Sequence, residues 1–270
     1  MTGPERPGVL AAAKAVFVKD LTSEWRTRVS TNALLLFAFA VLVLVGYAVG
    51  PASLSPEDRP TVHAVLLWIV LFFSAMTGLA RVFVKEEDSG TAAALRLSAP
   101  PPAVLLGKLL ANLALLTVVT AFVVPLFLAM MSFRIEGPAL FVLLLVLGNV
   151  GLASACTFTA AIVAKASAKG TMFAVLAVPL LLPPLVGAVM GTRVAATEPE
   201  LSAGLDFVKL LVAYDGVVTT AAFLLFDAVW RVKSPQLHGE GIPVLDSKYF
   251  GAPATPTWGG VEFVKFYNPP

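Results

Sequence analysis

Few side chains in these 270 residues are reactive, and those few stand apart. Cys156 is the single cysteine. It lies inside an apolar run, so no internal disulfide forms, and a small buried hydrophobe is the simplest reading of it. His63 and His238 are far apart in sequence, and no set of histidine, cysteine and carboxylate has the spacing of metal ligands. Gly107-Lys108 is followed by Leu109, and Pro102 occupies the place where a phosphate-cradling loop needs its first glycine. The chain is therefore not expected to bind ATP through such a loop. Neither a G-x-S-x-G elbow nor an H-E-x-x-H pair occurs. No catalytic residue is assigned, and the chain is not expected to be an enzyme.

What remains is a set of charges and amides in apolar company. Glu86, Glu87 and Asp88 precede Gly90. Asp215 and Asp227 stand within one apolar run and Asn149 within another. An unpaired charge in hydrocarbon costs a few kcal/mol or more, about 3 on insertion scales. Asp215 should therefore face protein or water, or be protonated, in a structural or coupling role at a helix contact or on a transport path. Asp227 lies one turn before Arg231, the spacing of an i,i+4 ion pair.

These residues are carried by a chain that a bilayer must solvate. Hydrophobic residues make up 58% and charged residues 13%, with a mean hydropathy of +0.86. A water-soluble fold of this length cannot hide that much apolar surface. The net charge of +2 gives no reason to expect nucleic acid. Six apolar runs are long enough to cross: 33–49, 62–84, 104–131, 138–163, 170–190 and 207–230. Backbone groups in lipid must bond internally, so each run is a helix. The fold class expected is an all-α integral membrane protein. Residues 1–32 precede the six-helix domain, 33–230, and a tail with six prolines and five glycines follows over 231–270. About 32 mixed residues precede the first run, too many for a signal peptide's leading segment, so that run is read as an uncleaved span.

Placing both termini in the cytoplasm puts fifteen Lys and Arg on the inner side and four on the outer. Over 8–30, Leu10, Phe17, Leu21, Trp25 and Val29 recur near helical period, while Lys19, Ser23 and Arg26 fall largely on other faces. This is expected to be an amphipathic elbow helix lying in the inner headgroup plane. A soluble helix packed on a partner is the alternative.

Span two is expected to be broken near its end by Arg81, to continue into the acidic cluster and to stop at Gly90. Thr91 to Leu97 then reads as a short helix stopped by Pro100 to Pro102, with a plain charged loop as the alternative. Lys108 is expected to snorkel to the inner surface. Pro125 should kink span three, and Pro179, Pro183 and Pro184 should kink or break span five. Gly148, Asn149, Gly151 and Ala155 suggest close packing along span four.

Three stretches, taken in order, resemble a known family. The first is Lys19-Asp20-Leu21 with Glu24, Arg26, Arg28 and Asn32. The second runs from Leu79-Ala80-Arg81-Val82-Phe83 through Glu86 or Glu87, Gly90-Thr91, Leu95-Arg96-Leu97 and Pro100 to Gly107-Lys108. The third is Pro179 to Leu185, with Tyr214-Asp215 and Phe226-Asp227, where relatives often carry Phe-Asp and Phe-Glu. The set is similar to ABC-2-type exporter permeases, and most closely to CcmB, the haem exporter protein B family of cytochrome c maturation.

That resemblance implies a CcmA-like ATPase subunit holding ATP and Mg, and CcmC-like and CcmD-like membrane subunits. It also implies a CcmE-like haem chaperone, a homodimer within the complex, and the bacterial inner membrane. Haem is implied as cargo and not as a resident cofactor. Glu86, Glu87, Gly90, Thr91 and Leu95 become the expected ATPase contact. His63, read as an interfacial histidine, becomes the one candidate for ligating haem iron. A permease for a lipid, drug or polysaccharide, and a membrane scaffold that does not transport, stay open as other readings.

Overall fold

The structure, a computed structural model, describes residues 8–49, 54–88, 90–164 and 169–231. The tail beyond Arg231 lies outside the described residues, as does the Gly50-Pro51 step that follows the first run. The described part forms one unit.

Helix α1, Val9–Thr27, leads into α2, Val29–Val49, through Arg28 alone. Arg28 adopts a left-handed conformation with φ of 52°, so the chain changes direction there. Helix α3, Arg59–Leu79, starts on Pro60, where a missing N–H costs nothing. Two short helices follow, α4 at Val84–Asp88 and α5 at Ala92–Ser98. Gly90 separates them at φ +70°, a conformation open to glycine at little cost. Helix α6 is Pro101–Met131, α7 is Pro138–Val163 and α8 is Lys169–Thr197. A 3-10 turn at Leu201–Gly204 precedes α9, Leu205–Arg231. No strand occurs among the described residues.

Six helices are long and apolar enough to cross a membrane. The fold class is thus the all-α membrane bundle that the runs imply. Helix α7 is the most enclosed and α2 the most peripheral. The enclosed helix is the one rich in Gly, Ala, Ser and Thr, which let neighbouring backbones come close. It packs on both α8 and α9.

Span two continues to the acidic cluster as expected, with a turn at Ala80 to Phe83, about Arg81, between α3 and α4. Two expectations are corrected. Span three begins on Pro101 and Pro102, not after them, because proline suits a first helical turn. Span five is not interrupted: α8 runs through Pro179, Pro183 and Pro184, as α6 runs through Pro125. Pro184 cannot donate to the carbonyl of Leu180 one turn earlier. Tyr214 of α9 donates its hydroxyl to that carbonyl instead, at 2.6 Å.

Candidate functional site

The charged end of the bundle is assembled around Lys108. Helix α6 is 31 residues long, about 46 Å at 1.5 Å per residue, so its first turns extend past a 30 Å hydrocarbon core. Lys108 stands in the second turn of α6 and does not reach for water. Its side chain is 1% exposed, and Nζ donates to Asp20 Oδ2 and to Glu86 Oε1, both at 3.0 Å, and to the carbonyl of Val82 at 3.2 Å. The expected snorkelling is corrected. Two carboxylates brought in by α1 and α4 satisfy the ammonium inside the protein.

Helix α1 reaches this point because its small residues allow it. Ala12, Ala13 and Val16 are buried against α6, and a Cβ on Gly107 would stand 2.7 Å from the carbonyl oxygen of Ala13. The large apolar stripe turns the other way: Leu10, Leu21 and Trp25 are exposed. Lys19 completes the charge cluster, with Nζ 2.5 Å from Glu86 Oε1 and 3.2 Å from Asp20 Oδ1. Burial works against its charged form. The hydrogen bond and the negative charge of Glu86, with the charge of Asp20, outweigh that and hold the ammonium above its usual pKa.

The elbow has its own anchor. Glu24 Oε1 accepts from the Thr31 amide at 2.7 Å and from the Thr31 hydroxyl at 3.0 Å. It thus caps the start of α2 from across the Arg28 bend, occupying a backbone donor that the helix cannot satisfy. Burial raises the pKa of Glu24, but the bonds from Thr31 and Ser30 more than offset this and hold it below the usual carboxylate range.

The α4–α5 pair is clamped onto the bundle. Thr91 donates its hydroxyl to Glu86 Oε2. Arg96 donates to Glu87 Oε1 at 2.5 Å and lays its guanidinium over the Trp230 ring, 4.9 Å from the centroid. Trp230 stacks on Phe226, and Phe83 closes against both at 5.8 and 5.5 Å. The end of α9 is therefore fastened to α5 through one cation and an aromatic cluster.

Of the five expected contact residues, Glu86 and Leu95 are turned inward, 7% and 8% exposed. Glu86 is drawn in by two lysines, and Leu95 fills the apolar core. Glu87 is engaged by Arg96. Gly90 and Thr91 are exposed, and beside them stand Ala94 and Leu97, the latter 91% exposed. Leu97 was passed over although it lies two residues from Leu95, on the other side of the helix.

Deeper in the bundle the polar residues mostly pair off. Thr120 donates to Asn149 Oδ1 at 3.1 Å, and Asn112 donates to the Thr157 hydroxyl at 2.8 Å. Trp68 donates to the Thr192 hydroxyl at 2.9 Å, joining α3 to α8. Asp215 is 8% exposed beside Gly151, and neither carboxyl oxygen has a hydrogen-bond partner among the described residues. Asp227 is half-buried, and the side chain of its expected partner Arg231 lies outside the described residues. His63 lies one turn from the start of α3 and faces the protein. It is 1% exposed, with its ring edge-on to Phe133 and Phe127. No group of three metal-ligating side chains occurs among the described residues.

Compared with known proteins, the chain matches a family model described as CcmB protein over residues 11–231. No curated protein matches it.

Proposed function

The chain belongs to the CcmB family, and from that membership we propose that it relays ATP hydrolysis by a CcmA-like partner to the delivery of haem. Membership makes it a multi-pass membrane protein, the permease subunit of a haem-exporting ABC system. In our reading ATP and Mg are held by the partner, and this subunit carries out no chemistry. Haem is cargo, handed to or released with a CcmE-like chaperone on the far side of the bacterial inner membrane. CcmC-like and CcmD-like subunits and a second copy of this chain complete the complex. Both termini face the cytoplasm.

The observation that carries this reading is the mounting of α4 and α5. The pair is fixed by Glu86 to α1 and α6 and by Arg96 to α9, while Gly90, Thr91, Ala94 and Leu97 project from it. A docked ATPase that grips this rim moves three helices together. Arg96 and Trp230 pass the displacement to α9, and Tyr214 passes it on to the proline-rich α8. The membrane domain then changes as a unit, because packed helices switch between discrete arrangements and do not deform gradually.

Leu97→Arg tests this. The side chain is exposed, so the variant should keep the thermal stability of the parent. It should co-purify with far less of the CcmA-like subunit and should lose stimulation of its ATPase. A variant that binds and stimulates as the parent does sinks the assignment of the rim.

A further inference from the structure

A cavity of about 640 Å³ opens beneath the elbow, between α1, the start of α2, the end of α3 and the first half of α6. Its walls are of two kinds. Ala111, Ala114, Leu115 and Val118 give it an apolar face along α6. From Lys108 to Val118 that face runs about 15 Å along the helix axis. The mouth is cationic. Five basic and three acidic side chains line the cavity, a surplus of two. Lys19 and Lys108 are balanced by Asp20 and Glu86 in the cluster described above. Lys85 donates to Ser23 and lies close enough to Glu24 to stabilise its charge.

Arg28 and Arg81 account for the surplus. Neither has a carboxylate partner among the described residues, and both are exposed at the rim. Arg28 rests on the Trp25 ring at 5.1 Å and donates from Nε to the Trp25 carbonyl, which leaves its two terminal nitrogens for a ligand. Trp25 also lines the cavity and, with Leu10 and Leu21, forms the outward apolar stripe of α1. A tryptophan and basic residues on one amphipathic helix mark the headgroup level of a bilayer. The cavity therefore sits where a headgroup sits, with its apolar face extending toward the hydrocarbon.

We propose that this cavity holds one anionic phospholipid, drawn from the leaflet in which α1 lies. Arg28 and Arg81 bind the phosphate in the forked geometry that guanidinium favours, and α6 between Ala111 and Val118 receives the upper part of an acyl chain. The lipid closes the space between the elbow and the span that carries Lys108. It is a fixed component of the permease and not its cargo.

Delipidated full-length protein, titrated with phosphatidylglycerol or with phosphatidylcholine and counted by native mass spectrometry, tests the site. One phosphatidylglycerol per chain should survive conditions that strip phosphatidylcholine. The Arg28→Gln/Arg81→Gln variant should bind it about 20- to 30-fold more weakly, from a contribution on the order of fivefold per cation near a membrane surface. Val118→Trp, which obstructs the apolar face and leaves both arginines in place, should also weaken it. This second variant reads out even where the double variant does not fold. Equal retention of the two lipids, or unchanged phosphatidylglycerol binding in both variants, overturns the proposal. So does a loss of bound haem in the arginine variant with the lipid count unaltered, since the cavity would then belong to the cargo.

Discussion

Lys108→Met removes a cation that is 1% exposed from between two carboxylates that are 9% and 17% exposed. Breaking a buried pair by deleting one member costs about 3–5 kcal/mol, because the other member stays buried without compensation. Here Lys19 remains within 2.5 Å of Glu86 and 3.2 Å of Asp20, but it is 48% exposed and its attraction is partly screened. The cost should therefore fall near the lower bound, about 3 kcal/mol. At about 2–4 °C per kcal/mol for a chain of this size, the Tm should drop by roughly 6–12 °C. Tryptophan fluorescence of the detergent-solubilised protein follows the transition. Charge balance supplies the control. Adding Glu86→Gln to Lys108→Met leaves Lys19 and Asp20 as a matched pair, so the double variant should be more stable than the two separate losses imply. The interaction energy from that cycle should be about 1.5 kcal/mol or more. If Lys108→Met costs under about 1 kcal/mol, or if the single losses simply add, the cluster does not hold α1, α4 and α6 together.

Two more outcomes follow from the same geometry. Tyr214→Phe leaves the Leu180 carbonyl without its donor and should cost about 1–2 kcal/mol, while in a Pro184→Ala background the restored N–H should reduce that cost to under about 0.5, measured as a Tm cycle. At the elbow, the pKa of Glu24 is lower folded than unfolded, so its stabilisation is complete above the unfolded value of about 4.3 and is lost as pH falls through the folded one. The hydrogen-exchange protection of the Thr31 amide, corrected for intrinsic rate, should fall over that acidic window, and Glu24→Gln should flatten the response; a pH-independent profile in the parent would remove Glu24 as the cap of α2.

The spans were legible because each is a local property: about 20 apolar residues in a row need no knowledge of any other part of the chain. The charge cluster was not, for the opposite reason. A lysine near the start of a span is expected to reach for water when only its own helix is considered. Its partners lie 88 residues away in Asp20 and 22 away in Glu86, and only the approach of α1 at Gly107 brings the first of them within reach. The continuity of α8 through its prolines was hidden for the same reason: one of the carbonyls that a proline leaves without an N–H finds its donor 34 residues on, in Tyr214. In Leu95 and Leu97 the difficulty was phase. Both stand in a seven-residue helix, too short for periodicity to say which one faces in.

Four residues whose partners are distant in sequence share one character. Lys108, Glu86, Arg96 and Tyr214 each join helices that are distant in the chain, and each does so with a polar contact inside or at the edge of the bundle. In lipid, apolar helix faces are nearly indifferent to whether they meet a neighbour or an acyl chain. Polar contacts therefore decide which helices move together, and one series of them begins at the exposed rim of α5, passes through Arg96 to the end of α9, and continues through Tyr214 to the prolines of α8. A helix with three prolines has three backbone carbonyls without their usual N–H partner, so it bends at less cost than its neighbours. The most deformable span is thus tied to the helix that an ATPase would move. Locking it with Pro179→Ala, Pro183→Ala and Pro184→Ala should leave ATPase binding intact and lower haem delivery, measured as cytochrome c output. Normal output from that variant would mean that the motion takes another route.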